Sequence, residues 1–183
     1  MTTSAPRREL LLDAAADLFA ARGFHAVGID DIGEAAGITG PGVYRHFASK
    51  QALLESLCDS TMDRMLALAK GTADLETLVD LHVELVVEER ALISVWVREQ
   101  RALTDDVRRS LRKRMRSYEG IWRDAVAPSR PDLDGPHLAL TVGAVLAMLN
   151  TTSLIENPLP SDARRLLLRQ LALTTLRAGE PQR

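Results

Sequence analysis

The stretch Thr39-Gly40-Pro41-Gly42-Val43-Tyr44-Arg45-His46-Phe47-Ala48-Ser49-Lys50 decides the reading of this 183-residue chain. Val43 and Phe47, four residues apart, mark the buried side of a helix expected over Gly40–Phe47, while Pro41, Gly42, Tyr44, Arg45 and His46 lie toward the other side. Upstream, Ile29, Ile32 and Ala36 recur at helical spacing, and Gly37 is placed to end their helix in a left-handed turn. Ile38 is the apolar plug between the two helices. Thr39 is expected to cap the second helix by accepting from its free N–H groups, leaving a positive helix end pointing outward. Two short helices joined by such a turn make a helix-turn-helix, and the outer side of the second could enter a DNA major groove.

Ser49 is placed to cap a third, longer helix, with Lys50 in its first turn. A cation there opposes the helix dipole by a few tenths of a kcal/mol to about 1. An external anion such as phosphate would remove the conflict.

The run from Asp31 to Thr39, then Val43-Tyr44-Arg45-His46-Phe47 and Ser49-Lys50-Gln51-Ala52-Leu53, resembles the signature of the tetracycline-repressor (TetR) family of bacterial regulators. An upstream helix with Ala14-Ala15-Ala16-Asp17-Leu18-Phe19, ending Arg22-Gly23-Phe24, matches as well, so the resemblance covers roughly residues 7–57. It implies that Thr39, Tyr44, His46 and Lys50 hold phosphates and that Pro41, Gly42 and Arg45 lie nearest the bases. Two positions depart from the pattern. Gly28 stands where the family commonly has Thr or Ser, so a backbone N–H would have to replace a hydroxyl, and Gly33 stands where Ala is common.

Composition fits a helical protein with an aliphatic core: 46% of residues are hydrophobic and only 4% aromatic. The net charge of −2 is no obstacle to DNA, because phosphate responds to a local footprint such as Arg45, His46 and Lys50 rather than to the global sum. The single cysteine, Cys58, excludes an internal disulfide framework and reads as a buried thiol. No signal-peptide pattern and no uninterrupted apolar run of spanning length is read, so the expectation is a cytoplasmic chain without membrane contact. No phosphate loop, nucleophile elbow or metalloprotease motif occurs, and His25, His46, His82 and His137 lack ligand spacing. Neither enzyme activity nor a metal or cofactor is expected.

Beyond Lys50 the periodicity predicts helices over about 49–70, 74–88, 91–103, 104–126, 136–154 and 161–178, with Thr104 capping the fourth of these. Residues 98–123 hold nine Lys/Arg against four Asp/Glu. Val107, Leu111, Met115, Tyr118, Trp122 and Val126 line one face there, which makes the arginines a solvated face first and an anion site, for instance for a coenzyme-A thioester, second.

The expectation is therefore an all-α protein of about nine helices. Residues 1–50 would form a helix-turn-helix DNA-binding domain and 51–183 a helical effector-binding and dimerisation domain. Family resemblance implies a largely apolar cavity, for which Met62, Met65, Trp96, Tyr118, Trp122 and Met148 are the candidates, although core packing explains each about as well. The helices from Pro136 and Ser161 are apolar over broad faces, and Leu138, Val142, Val145, Leu149, Leu167 and Leu171 are the candidates for a homodimer interface. Two functions fit: a ligand-responsive regulator, most simply a repressor of a double-stranded DNA operator, or a small-molecule-binding or partner-docking protein of the same fold that no longer binds DNA.

Overall fold

The computed structural model describes residues 4–178, with side chains from Arg7 onward; the ends of the expected domains at residues 1 and 183 lie outside it. Nine α-helices and no strand occur among the described residues: α1 (Ser4–Arg22), α2 (Ile29–Ala35), α3 (Gly40–Val43), α4 (Lys50–Ala69), α5 (Leu75–Glu88), α6 (Arg90–Arg98), α7 (Asp105–Val126), α8 (Gly135–Thr151) and α9 (Ser161–Arg177). The all-α expectation and its helix count hold.

The chain forms two compact units. One comprises residues up to Thr61 with Ala91–Leu111, and the other Met62–Arg90 with the chain from Arg112 on. The first unit thus extends past the boundary expected at residue 50. The reason lies in its hydrogen bonds: Gln51 Nε2 donates to the Ala102 carbonyl (2.8 Å), Thr104 Oγ1 to Glu55 Oε1 (2.8 Å), and the Phe24 N–H to Glu99 Oε1 (3.1 Å). Thr104, expected to cap α7, thus gives its hydroxyl proton to Glu55.

In the first unit Leu11, Ala15 and Phe19 repeat every four residues along α1 and are fully buried with Ile32, Val43, Leu53 and Leu54. Phe19 and Phe24 meet edge to face at 5.3 Å. Gly37 ends α2 at φ +70°, as expected, and the Ile38 N–H closes back on the Gly33 carbonyl at 2.8 Å. Gly33 has a local reason: a Cβ there would sit 2.9 Å from the Ile38 carbonyl oxygen, so any side chain would push the turn away from α2.

In the second unit α9 packs on α5 and α8. Leu168, Ala172 and Leu176 of α9 and Leu78 and Val79 of α5 are buried. Over them Arg165 bonds Glu84 and Glu88, and Arg169 bonds Asp80 and Glu76 (2.6 Å each). These pairs are partly exposed and orient the two helices more than they stabilise them. Asp74 and Asp134 cap α5 and α8 by accepting from the Thr77 and His137 N–H groups.

The predicted dimer residues on α8 require correction. Leu138, Val142, Val145 and Leu149 are buried inside the subunit, with Val145 only 1% exposed. Their spacing of four, three and four is one helical stripe, and that stripe is the core-facing one. The outward stripe is Leu140, 73% exposed, with Ala144 and Ala147. On α9, Leu167 and Leu171 are exposed as expected, together with Leu166. By length and composition alone Gly135–Leu154 could cross a membrane, at a mean hydropathy of 1.4, because the helical stretch runs to Leu154 without an Asp, Glu, Lys or Arg. Its two buried polar side chains are nonetheless committed inside the unit, Asn150 to His82 and Ser153 to the Asn150 carbonyl.

Candidate DNA-reading and effector sites

The reading head rests on α2, the Gly37 turn and α3. Helix α3 is shorter than expected, ending at Val43, and the chain then continues in tight turns in which the His46 N–H donates to the Val43 carbonyl at 2.9 Å. Val43 and Phe47 are buried, as their spacing predicted. Thr39, Pro41, Tyr44 and Arg45 are exposed, and Gly42 and His46 half-buried. All but Lys50 of the predicted DNA contacts thus lie along one short segment.

Thr39 does not use its hydroxyl as a cap. Its carbonyl accepts from the Gly42 and Val43 N–H groups (2.7 and 3.1 Å), which leaves the side chain free for an outside partner. Gly28 differs in the opposite sense: its N–H donates to Asp31 Oδ2 at 2.6 Å, so it is not available to replace the missing phosphate-binding hydroxyl.

Lys50 resolves its conflict with the helix dipole internally. Its Nζ donates to the Phe24 and Val27 carbonyls (2.9 and 2.7 Å) and lies 4.5 Å from the Phe24 ring centre. Ser49 caps the same helix by accepting from the Ala52 N–H at 3.0 Å. The ammonium is thereby a clasp between α4 and the loop after α1. Lys50→Met should lower the melting temperature of the first unit and weaken binding to DNA without reducing the salt dependence by one phosphate charge; a salt slope lower by about one with unchanged stability would restore the simple phosphate contact.

The effector candidates separate. Trp96 belongs to the first unit, whereas Met62, Met65, Tyr118, Trp122 and Met148 belong to the second. All are buried except Met148, which is partly exposed. Within the second unit a polar cluster lies in this apolar setting: His82 Nδ1 is 2.8 Å from the Tyr118 hydroxyl and Nε2 is 3.1 Å from Asn150 Oδ1. The amide oxygen can only accept, so Nε2 carries the proton and Tyr118 donates to Nδ1. Burial holds His82 neutral, lowering its pKa to about 4, and raises the Tyr118 hydroxyl well above its ordinary value. Trp122 meets the His82 ring edge to face at 5.6 Å. Its Nε1 is buried and closes no hydrogen bond, although it lies near enough to Tyr118 to oppose that hydroxyl's shift.

Asn150 was not singled out from sequence, although an amide in the otherwise apolar α8 was a legible signal. Cys58 is buried as expected, its thiol pushed up to about 12, first by burial and then by Asp59, Glu55 and Glu99. In the basic stretch, Arg108, Arg109 and Arg114 pair with Asp105, Asp106 and Asp63. No group of three metal-ligating side chains occurs among the described residues.

A buried two-helix motif that exposes Thr39, Tyr44 and Arg45 at its second helix defines a helix-turn-helix DNA-binding regulator. The comparisons agree. The family model for bacterial regulatory proteins of the tetR family matches residues 11–57, and that for the tetracyclin repressor-like C-terminal domain matches 69–154. The HTH-type transcriptional repressor KstR2 of Mycobacterium tuberculosis is 31% identical over 143 residues, covering 70% of this chain and 72% of that protein. Its namesake in Mycolicibacterium smegmatis is 32% identical over 147 residues, 71% of each chain. Among solved structures, a TetR-family transcriptional regulator from Bordetella parapertussis is 26% identical with a TM-score of 0.75, over 91% of this chain and 93% of that one. A tetR-family regulatory protein from Rhodococcus RHA1 shares the fold at a TM-score of 0.83 and 19% identity, over 97% and 100% of the two chains. The chain belongs to the TetR family, and its function is that of a ligand-responsive DNA-binding transcriptional repressor.

Proposed function

We propose that residues 1–50 read a double-stranded DNA operator, that residues 51–183 bind a small, largely apolar effector and pair two copies of the chain, and that effector binding releases the operator. The observation that carries the DNA contact is the exposure of Thr39, Pro41, Tyr44 and Arg45 on a segment whose neighbours Val43 and Phe47 are locked in the core. Exposed Tyr44, 57% accessible, has no packing duty in this subunit, which disfavours the alternative of a fold kept only for ligand or partner binding.

Thr39 and Tyr44 are assigned to phosphates, Arg45 to base edges, and Pro41 and Gly42 to the closest approach of the backbone. Arg45→Ala should relax sequence preference by about 1–3 kcal/mol at one position of each half-site, whereas Tyr44→Ala should weaken specific and random DNA alike. Competition assays against single-base operator variants separate the two effects. Equal affinity of wild type and both variants for all sequences would remove this segment from the DNA interface.

The effector reading rests on the second unit. Trp122 and Tyr118 offer broad apolar faces, and the uncommitted Trp122 N–H offers a donor to an oxygen on the effector. Such a ligand must favour one conformation over the other, since equal affinity shifts no equilibrium. Helix α4 supplies continuity, because its residues belong to both units. Homodimerisation is assigned to Leu140, Ala144 and Ala147 of α8 with Leu166, Leu167 and Leu171 of α9, exposed apolar side chains that water would otherwise cover.

A further inference from the structure

The segment Thr39 to His46 has no permanent cation to spare for the DNA backbone. Lys50 gives its ammonium to the Phe24 and Val27 carbonyls, Arg45 is assigned to base edges, and Thr39, Tyr44 and His46 carry no permanent charge. Backbone contacts made by such groups alone leave little of the counterion release that drives binding to DNA. One cation from outside the segment is held against it. The Arg8 guanidinium of α1 lies over the ring of Phe47, 5.0 Å from its centre. Phe47 follows His46 and is only 4% exposed, whereas Arg8 is exposed, so the guanidinium covers the ring on its solvent side.

Arg8 stands one turn before Leu11 and Leu12, at the head of the buried stripe of α1, which brings it to Phe47. The same placement denies it an acid, because the positions where a helical ion pair would form, Ser4, Ala5, Leu11 and Leu12, hold none. It makes no hydrogen bond or ion pair with any described residue. The ring contact orients the group and leaves its N–H donors unspent. We propose that Arg8 is a phosphate contact of the reading head, taking the DNA backbone beside the phosphates assigned to Thr39 and Tyr44, in the role that Lys50 does not fill. A guanidinium already held in place loses less freedom on binding than a long side chain in solvent, and its planar fork suits two phosphate oxygens. The proposal rests on the assignment of Thr39 to His46 to DNA and extends that interface to α1.

The salt dependence of binding tests it, read by fluorescence anisotropy on the full-length protein with a random-sequence duplex and with the fragment flanking the protein's own gene. Arg8→Met keeps a stem for the Phe47 ring and removes the charge. Each head should then release about one counterion fewer, so for a dimer the slope of log affinity against log salt should fall by about two, and affinity for both duplexes by about 60-fold at about 0.1 M salt. Arg8→Lys should retain the slope. Arg116→Gln, an equal change of net charge at an exposed position of α7, should leave it unaltered. An unchanged slope in Arg8→Met would overturn the proposal even if binding weakened, since a packing role moves stability and affinity but not counterion release. An equal fall in Arg116→Gln would overturn it as well. Tyr44→Ala tells the two readings apart: if it weakens binding while Arg8→Met leaves the slope unchanged, Arg8 alone leaves the interface, and if neither variant alters binding, the whole segment does.

Discussion

Leu140→Glu combined with Leu166→Glu should give a helical monomer, while Val145→Glu should prevent the second unit from folding. Both side chains of the double variant are at least 70% exposed, so the subunit loses nothing when they become charged. A pair of such subunits would bury four carboxylates against an apolar face, at several kcal/mol for each one left unpaired. Specific DNA affinity should fall with the dimer by about a hundredfold or more, since one reading head spans too few bases for recognition. Val145 is 1% exposed, and an unpaired carboxylate there costs an amount comparable to the about 5–15 kcal/mol of a whole domain. Sedimentation and circular dichroism separate these outcomes. A double variant that still sediments as a dimer, or a folded monomer from Val145→Glu, would put the interface back on the stripe of Leu138, Val142 and Leu149.

The second large effect is on stability against acid. His82 is buried and neutral, with its pKa lowered from 6.5 to about 4. The unfolded chain then binds the extra proton first, so His82 contributes its full stability above about pH 6.5, loses it as pH falls, and has none left below about pH 4. At about 1.36 kcal/mol per unit this amounts to about 3 kcal/mol, of which about 2 is lost by pH 5, before most carboxylates titrate. Denaturant unfolding between pH 7.5 and 5 measures it. His82→Gln retains a donor and an acceptor for Asn150 and Tyr118 and should remove this part of the pH dependence. Parallel profiles for wild type and His82→Gln would show that the His82 ring does not carry it.

The parts of this fold that were legible in sequence are those with a local cause. Gly37 needed a left-handed conformation, Ser49 and its following helix announced a cap, and Val43 and Phe47 could share only one side of a short helix. The parts that were not legible depend on partners distant in sequence. Lys50 could be seen to oppose its helix dipole, but its answer lies in carbonyls 26 and 23 residues earlier. The Thr104 hydroxyl, legible in sequence only as a cap, donates to Glu55, 49 residues away. Helix α8 is apolar on nearly every side, so periodicity could not say which stripe faces inward; α9 and α5 decide that by packing on it.

The central claim, operator reading by the segment Thr39 to His46, is tested most directly by electrophoretic retardation of the DNA fragment flanking the protein's own gene. Wild type should shift that fragment in the presence of excess random DNA, and Arg45→Ala, folded and dimeric, should lose the preference for it over random DNA. Retardation of both fragments with equal affinity by wild type, or an unchanged preference in Arg45→Ala, would contradict the account.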